Sequence, residues 1–416
     1  MENSFTETGR KTLIIILLLF TGTISLYTQT LTSYSANTIP IGGNGSAAFG
    51  ISALSVNTGS SNTGIGYQAL MSNTTANYNT AIGSQSLRSN TTGSANIAIG
   101  TASLFNNTTG GNNTAIGHNA LVTNTTGSSN TATGFQSLNF NTTGTENTAN
   151  GSGALTNNSI GFQNTAIGRS SLNLNTVGSN NTASGYFSLN KNTTGNNNSA
   201  FGHGSLFSNT TGEGNSAFGK RSLLLNTSGN YNTVIGDSAG YNNNGNNNVF
   251  IGFAAGVNEF STSNKLYLSN NASNTILYGD FSTGQILLGK PIPTGYTFKG
   301  TRTLNVLGGI ISDSIRLSPV TAWADHVFAD DYKLMPLEEL SNFIKTNKHL
   351  PNIPTSAAVE KNGIELGAMN AKLLEKIEEL HLYILQQQNQ MDGQNKINEI
   401  FQKQINDLKQ NSSRSK

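Results

Sequence analysis

Residues 113–129 read NTAIGHNALVTNTTGSS, and Asn130 starts the same phrase again. Anchored on the Gly of AIG, the phrase keeps register at Gly66, Gly83, Gly100, Gly117, Gly134, Gly151, Gly168, Gly185, Gly202, Gly219 and Gly236, always 17 residues apart. Gly50 and Gly252 flank this series at steps of 16, which gives thirteen units. An Asn stands four residues before each Gly from Gly66 onward, as at Asn62, Asn79, Asn96 and Asn113. A Leu stands four after it, from Leu54 to Leu223, and seven after it another Asn opens NTTG. A fixed short period marks a repeat architecture. Seventeen residues are too few for a helical pair, and Gly, Asn and Thr favour turns and strands over helix. The phrase therefore predicts a mainly β fold: a parallel β-solenoid or β-roll with one repeat per coil, each coil pairing with its two neighbours. At about 4.8 Å per coil, thirteen coils make a rod of roughly 60 Å.

Each fixed residue then has a physical role. Gly83, Gly117, Gly134 and Gly168 are expected where the chain takes a positive φ or where backbones pass closely. Asn79, Asn113, Asn130 and Asn164 can form side-chain ladders along the stack. Leu87, Leu121, Leu138 and Leu172 supply a buried stripe beside a small residue such as Ala120 or Ser137. The Ile before the Gly is replaced by Thr133, Asn150 and Ser184, so that face should be only partly buried. A single Leu stripe makes a thin core, which predicts that several chains associate.

The composition narrows the options. Charged residues are 11%, against roughly 25% in ordinary soluble domains, and the net charge is +2 with no basic stripe. Nucleic acid is not an expected partner. Cysteine is absent, which excludes disulfides and thiolate metal sites. Arg10 and Lys11 precede the apolar run TLIIILLLF and a small-residue tail, the pattern of a cleaved secretory signal peptide over residues 1–29. No later segment is apolar enough to span a membrane, so none is expected after cleavage. A linker (30–46) leads to the head (47–263). From Asn264 the runs KLYLSNN, TILYGDF and QILLGK read as strands of a β-rich neck (264–318), with two more predicted in 303–318.

The phrase N-T-A-I-G-x-x-A/S-L resembles the head repeat of trimeric autotransporter adhesins. That likeness covers about half the chain and implies a left-handed parallel β-roll, three chains side by side. The family's C-terminal membrane barrel has no counterpart here. Residues 323–388, with WADHVF, HLPNIP and LLEKIEEL in order, resemble the C-terminal module of secreted repeat proteins and tail-fibre-like proteins of Gram-negative bacteria, which implies assembly or attachment. In this module (319–365) PLEELSNFIKTN has a helical period after Pro336, and HLPNIP is a break. The last segment (366–416) carries an a/d seam that includes Leu366, Leu373, Ile377, Leu380, Ile384, Met391, Phe401, Ile405 and Leu408, a coiled-coil core with Gly393 at its middle. Ile at a with Leu at d favours two strands, the head resemblance favours three, and polar Asn and Gln layers blur the core rule. A trimeric fibre is the expectation.

No catalytic constellation is present in the sequence. His118, His203, His326, His349 and His381 have no ligand-spaced partner, and Asp325, His326, Asp330 and Asp331 read as a polar turn. SDSIRLS lacks the Lys that would complete the self-cleavage motif of some phage fibres, so no autoproteolysis is assigned. The NTT and NTS tracts match N-glycosylation acceptors but read as turn chemistry. The functional expectation is a secreted, non-enzymatic, adhesin-like surface fibre without cofactor or metal. It would meet a glycan or a protein through its repeated polar face. A phage or injection-particle tail fibre is the alternative, and an ice-binding solenoid a remote one.

Overall fold

A computed structural model of the chain describes residues 45–289, 303–315 and 323–414; the expected signal peptide lies outside them. The chain divides into two compact units, Met1–Ile310 and Ile311–Lys416. In the first, β1 (Ala47–Phe49) to β13 (Val249–Ile251) are thirteen strands of three residues, each in parallel register with the next. Ala115 faces Ala132 and Ile116 faces Thr133, a step of 17. The steps of 16 fall at Ala47–Thr63 and Thr233–Val249, as the glycine spacing predicts. The parallel β-solenoid is thus the fold.

Two features of the neck differ from expectation. The change of composition at Asn264 does not end the stack, because β14 (Lys265–Ser269) pairs in parallel with β13. Only β15 (Thr275–Asp280) and β16 (Gln285–Gly289) reverse to antiparallel pairing, and β17 (Leu304–Leu307) then runs parallel to β16. Of the two strands predicted in 303–318, β17 forms, but Gly308 to Ile315 carries none. The chain there has two glycines in open space and a wholly exposed Ile311, so no ladder partner rewards an extended backbone.

The core contains more than the Leu stripe. A strand alternates its faces, so the central Ala of each TAI points in and the Ile points out. Ala81, Ala98, Ala115, Ala132, Ala149 and Ala166 are fully buried, as are Leu87, Leu104, Leu121, Leu138, Leu155 and Leu172. Two Asn columns are buried with them. In the first, the Oδ1 of Asn113 accepts from the backbone N–H and the Nδ2 of Asn130 at 3.0 and 3.2 Å. Its own Nδ2 donates to Asn96 Oδ1 at 3.1 Å and to Gly127 O at 2.9 Å. In the second, Asn124 Nδ2 donates to Asn107 Oδ1 at 2.8 Å and to the same Gly127 O at 2.9 Å. Every donor and acceptor of Asn113 is used, which removes the penalty of burying a polar amide.

The turn between strand and Leu is built from left-handed residues. Gly117 has φ +136°, and a Cβ there would lie 2.5 Å from the carbonyl oxygen of Gly134 in the next coil. Asn119 and Leu121 have φ +54° and +53°. This alternation aims successive amides in opposite directions: Asn119 N–H donates back to Thr101 O, and Leu121 N–H donates forward to Ser137 O. Leucine in this region is strained by roughly 1–2 kcal/mol. Burial of its side chain, worth about 1.5–3 kcal/mol, offsets that strain.

The C-terminal end of the stack is closed by aromatic rings. Phe250 takes the place of the central Ala, and Gly240 and Gly256 leave it room. Tyr267 and Tyr278 continue from it edge to face, with centroids 5.6 and 5.1 Å apart. The shortened coil at Gly245 ends the second Asn column, and Asn226 Oδ1 is left without a partner.

In the second unit a 3-10 turn, Ala324–Phe328, is followed by α1 (Leu337–Asn347), α2 (Ser356–Asn362) and α3 (Leu366–Arg414). Pro336 sits at the N-cap of α1, and α3 runs unbroken through Gly393. Ala324 and Val327 are buried, and the 3-10 turn packs on α3. Tyr383 donates to Met335 O at 2.5 Å, and Tyr332 to Glu379 Oε1 at 2.5 Å, so one side of α3 is held by the segment before α1.

The ladder predicts a local fault when one rung is cut. Asn113→Ala removes the acceptor of the Asn130 amide and a donor to Gly127 O. Each buried orphan costs about 1–3 kcal/mol. Hydrogen exchange should rise in the coils beside Asn113 and stay native several coils away, whereas exposed Thr126→Ala should change nothing. Uniform loosening of the whole stack would show that the coils are not independent neighbours.

Candidate binding surface

The predicted ladder residues Asn79, Gly83, Leu87, Asn113, Gly117, Leu121, Asn130, Gly134, Leu138, Asn164, Gly168 and Leu172 all lie at equivalent positions of successive coils. The Asn and Leu members are fully buried. They build the scaffold, which leaves the outward positions to meet other molecules.

Three outer faces run along the stack, the first of them with two columns. The strand face shows a Thr column, from Thr114 to Thr182, beside a column of Ile65, Ile82, Ile99, Ile116 and Ile167 that is more than a third exposed. The NTT corner shows a second Thr column, but its first hydroxyl is spent on the next coil, as in Thr108 to Thr125 O at 3.0 Å. The asparagines that open the NTT tracts, including Asn90, Asn107 and Asn124, are buried with their amides bonded, so these do not present a glycan acceptor. The third face follows the fixed Gly and carries a column of mixed side chains: His118 stacks on Phe135 at 5.8 Å, and Tyr186 on His203 at 5.3 Å. Sequence reading missed this column because no residue type is kept in it from one coil to the next.

The coiled-coil residues Leu366, Leu373, Ile377, Leu380, Ile384, Met391, Phe401, Ile405 and Leu408 lie on α3 and are all exposed, from 44 to 68%. The face that carries Lys376, Glu379 and Tyr383 is the one used within the chain.

Displaced titrations mark packing pairs. Burial pushes the Tyr267 hydroxyl up, and Glu259 pushes it further. Tyr332 is raised in the same way by burial and Glu379. Burial would lower Lys376, but its hydrogen bonds to Glu379 and Glu375 outweigh it and raise the ammonium. Asp325, Asp330 and Asp331 are exposed, and among the described residues no three His, Asp or Glu side chains are grouped to hold a metal ion. No described helix is long and apolar enough to cross a membrane.

No protein-family model matches the chain, and neither a curated protein nor a solved structure is significantly similar to it.

At the neck, Lys265 Nζ lies 2.6 Å from Asp280 Oδ2. Burial alone would raise the Asp280 carboxyl, but hydrogen bonds from Lys265 and Ser282 hold it below its ordinary 3.8. A depressed carboxyl contributes stability above its unfolded pKa and loses it as pH falls through the folded value. Asp280→Asn should therefore lower the melting temperature at neutral pH, and the two melting curves should converge on strong acidification. A constant gap at all pH values would assign the loss to packing instead of charge.

Proposed function

We propose that the chain is a secreted, non-enzymatic fibrous protein of a Gram-negative bacterial surface, adhesin-like, in which copies of the chain are joined through α3 and the solenoid supplies reach and repeated contact. One observation carries this reading: α3 is 49 residues, roughly 74 Å, and bears an a/d stripe, interrupted by Asn370, Gln387, Gln394 and Asn398, whose apolar members stand exposed among the described residues. Such a stripe is stable in water when a second or third helix packs knobs into its holes. The exposed Ile column of the solenoid gives neighbouring copies a further apolar surface. Three copies agree with the head repeat's resemblance to trimeric adhesins. A repeated exterior then multiplies weak contacts by valency.

Two experiments test the reading. Truncation after Leu366 should turn a sedimenting trimer into monomers, and a trimer that survives would place the assembly contacts in the solenoid alone. Deletion of 113–129 joins the preceding coil to Asn130 in phase, so the chain should fold, shorten by about 4.8 Å and lose little surface binding. An eight-residue deletion breaks the phase and should do more damage. If binding disappears on removal of the in-phase coil while the fold survives, the idea of distributed contact is abandoned.

A further inference from the structure

Most of the solenoid is uncharged, yet four of its cations, Arg169, Lys191, Lys220 and Arg221, fall within four consecutive coils. All four are exposed, and among the described residues none meets a carboxylate. They belong to the mixed outer column and its edge. Backbone hydrogen bonds fix the register: Phe187 N–H donates to Arg169 O, Gly204 to Tyr186 O, Arg221 to His203 O and Ser238 to Lys220 O. Arg169, Tyr186, His203 and Lys220 therefore stand one above another in successive coils, about 14 Å from end to end.

The rings between the two cations are held in place. The Arg169 guanidinium lies 5.8 Å from the Tyr186 ring centre, and Tyr186 and His203 stack with 14° between their planes. Phe187 lies 4.1 Å from Tyr186, and Phe207 lies 6.0 Å from Phe187. Lys191 sits over Phe207 at 5.1 Å. Stacking along the axis covers the ring faces and leaves the edges outward. An aromatic edge is electropositive, and the Tyr186 hydroxyl and the His203 imidazole can each donate and accept. No protein group among the described residues takes up those hydrogen bonds. The column thus offers a cation, two dual hydrogen-bonding tips and a cation, at one group per coil.

We propose that this column binds an acidic polysaccharide of the uronic-acid class, laid along the solenoid axis. The inference rests on the surface-binding reading above and names its ligand and place. A sugar unit advances a polysaccharide by about the height of one coil, so successive units meet successive groups. Carboxylates three units apart pair with Arg169 and Lys220, with Lys191 and Arg221 alongside; the two units between turn their carboxylates to water and meet Tyr186 and His203 through hydroxyls. The wide spacing of the cations selects the ligand. A densely sulfated glycan carries several charges on each unit and cannot turn them all away from the two column positions that have no permanent charge.

Full-length protein titrated with polygalacturonate fragments in a calorimeter tests this, with neutral dextran, dextran sulfate and single-stranded DNA as comparison probes. Polygalacturonate should bind and dextran should not. Arg169→Gln with Lys220→Gln should weaken binding roughly tenfold, since each exposed pair contributes up to about 1 kcal/mol. Tyr186→Phe should weaken it by a smaller factor, with unchanged circular dichroism and sedimentation in each variant. Equal affinity of the double variant and the wild type overturns the assignment to this column. Tighter binding of dextran sulfate or DNA overturns the uronate class. No binding of polygalacturonate, in a protein that still binds the native cell surface, sinks this inference and leaves the broader reading standing.

Discussion

The structure depends on one hydrogen bond repeated from coil to coil: an Asn side-chain oxygen accepting the backbone N–H of the Asn 17 residues later, as Asn113 does for Asn130. An amide inside a core would be a liability if any of its groups were left over. Here the two Asn columns meet at one carbonyl, that of Gly127 in its coil, and each donor finds an acceptor. That closure lets a coil of 17 residues bury two Asn side chains beside one Leu, the strand Ala and the small Ala or Ser that precedes the Leu. The ladder tolerates a coil of 16: Asn248 still donates to Asn232, and Asn73 to Asn57. Where the twelfth coil is one residue short, the second column stops and Asn226 keeps an unpartnered oxygen.

A stack held by neighbour-to-neighbour bonds tolerates change on its outside. The inward positions are fixed by packing and by the strained left-handed turn at Leu121 and its equivalents, while the outward ones need only avoid the backbone. Side chains as different as Ser152, Arg169, Tyr186, His203 and Lys220 therefore occupy one column. Phase registers them, so a local composition becomes a linear array with one group per coil. The same logic explains why the ends differ from the middle. Phe250, Tyr267 and Tyr278, on three successive strands, put rings where the earlier coils carry an Ala.

The scaffold was largely legible in the sequence. The spacing of Gly117, Asn113 and Leu121 is enough to give a parallel solenoid, its coil length and its two irregular steps. The buried Ala column was missed, because a small apolar residue between Thr and Ile carries little signal by itself. The second Asn column was read as turn chemistry at NTT, and its burial follows from contacts with the next coil. The neck was placed correctly as strands, but β14 continues the parallel stack across the change in composition. The candidate binding column was not legible, since periodicity reveals a residue type that returns every 17 positions, and here the side chain changes from each coil to the next.

The sequence by itself determined the period, the fold class, the scaffold residues and the a/d stripe of α3. These follow from counting, because a residue that returns every 17 positions must occupy one place in a coil. Beyond the Leu stripe, tertiary structure decided which side of the backbone each place faces. That choice turns on left-handed conformations at Leu121 and Asn119, which leucine avoids in isolation and accepts only when burial and bonds to adjacent coils outweigh the strain. Once that turn is made, Ala115 and two asparagines face inward, Ile116 faces water, and unrelated side chains from Arg169 to Lys220 are brought into one line.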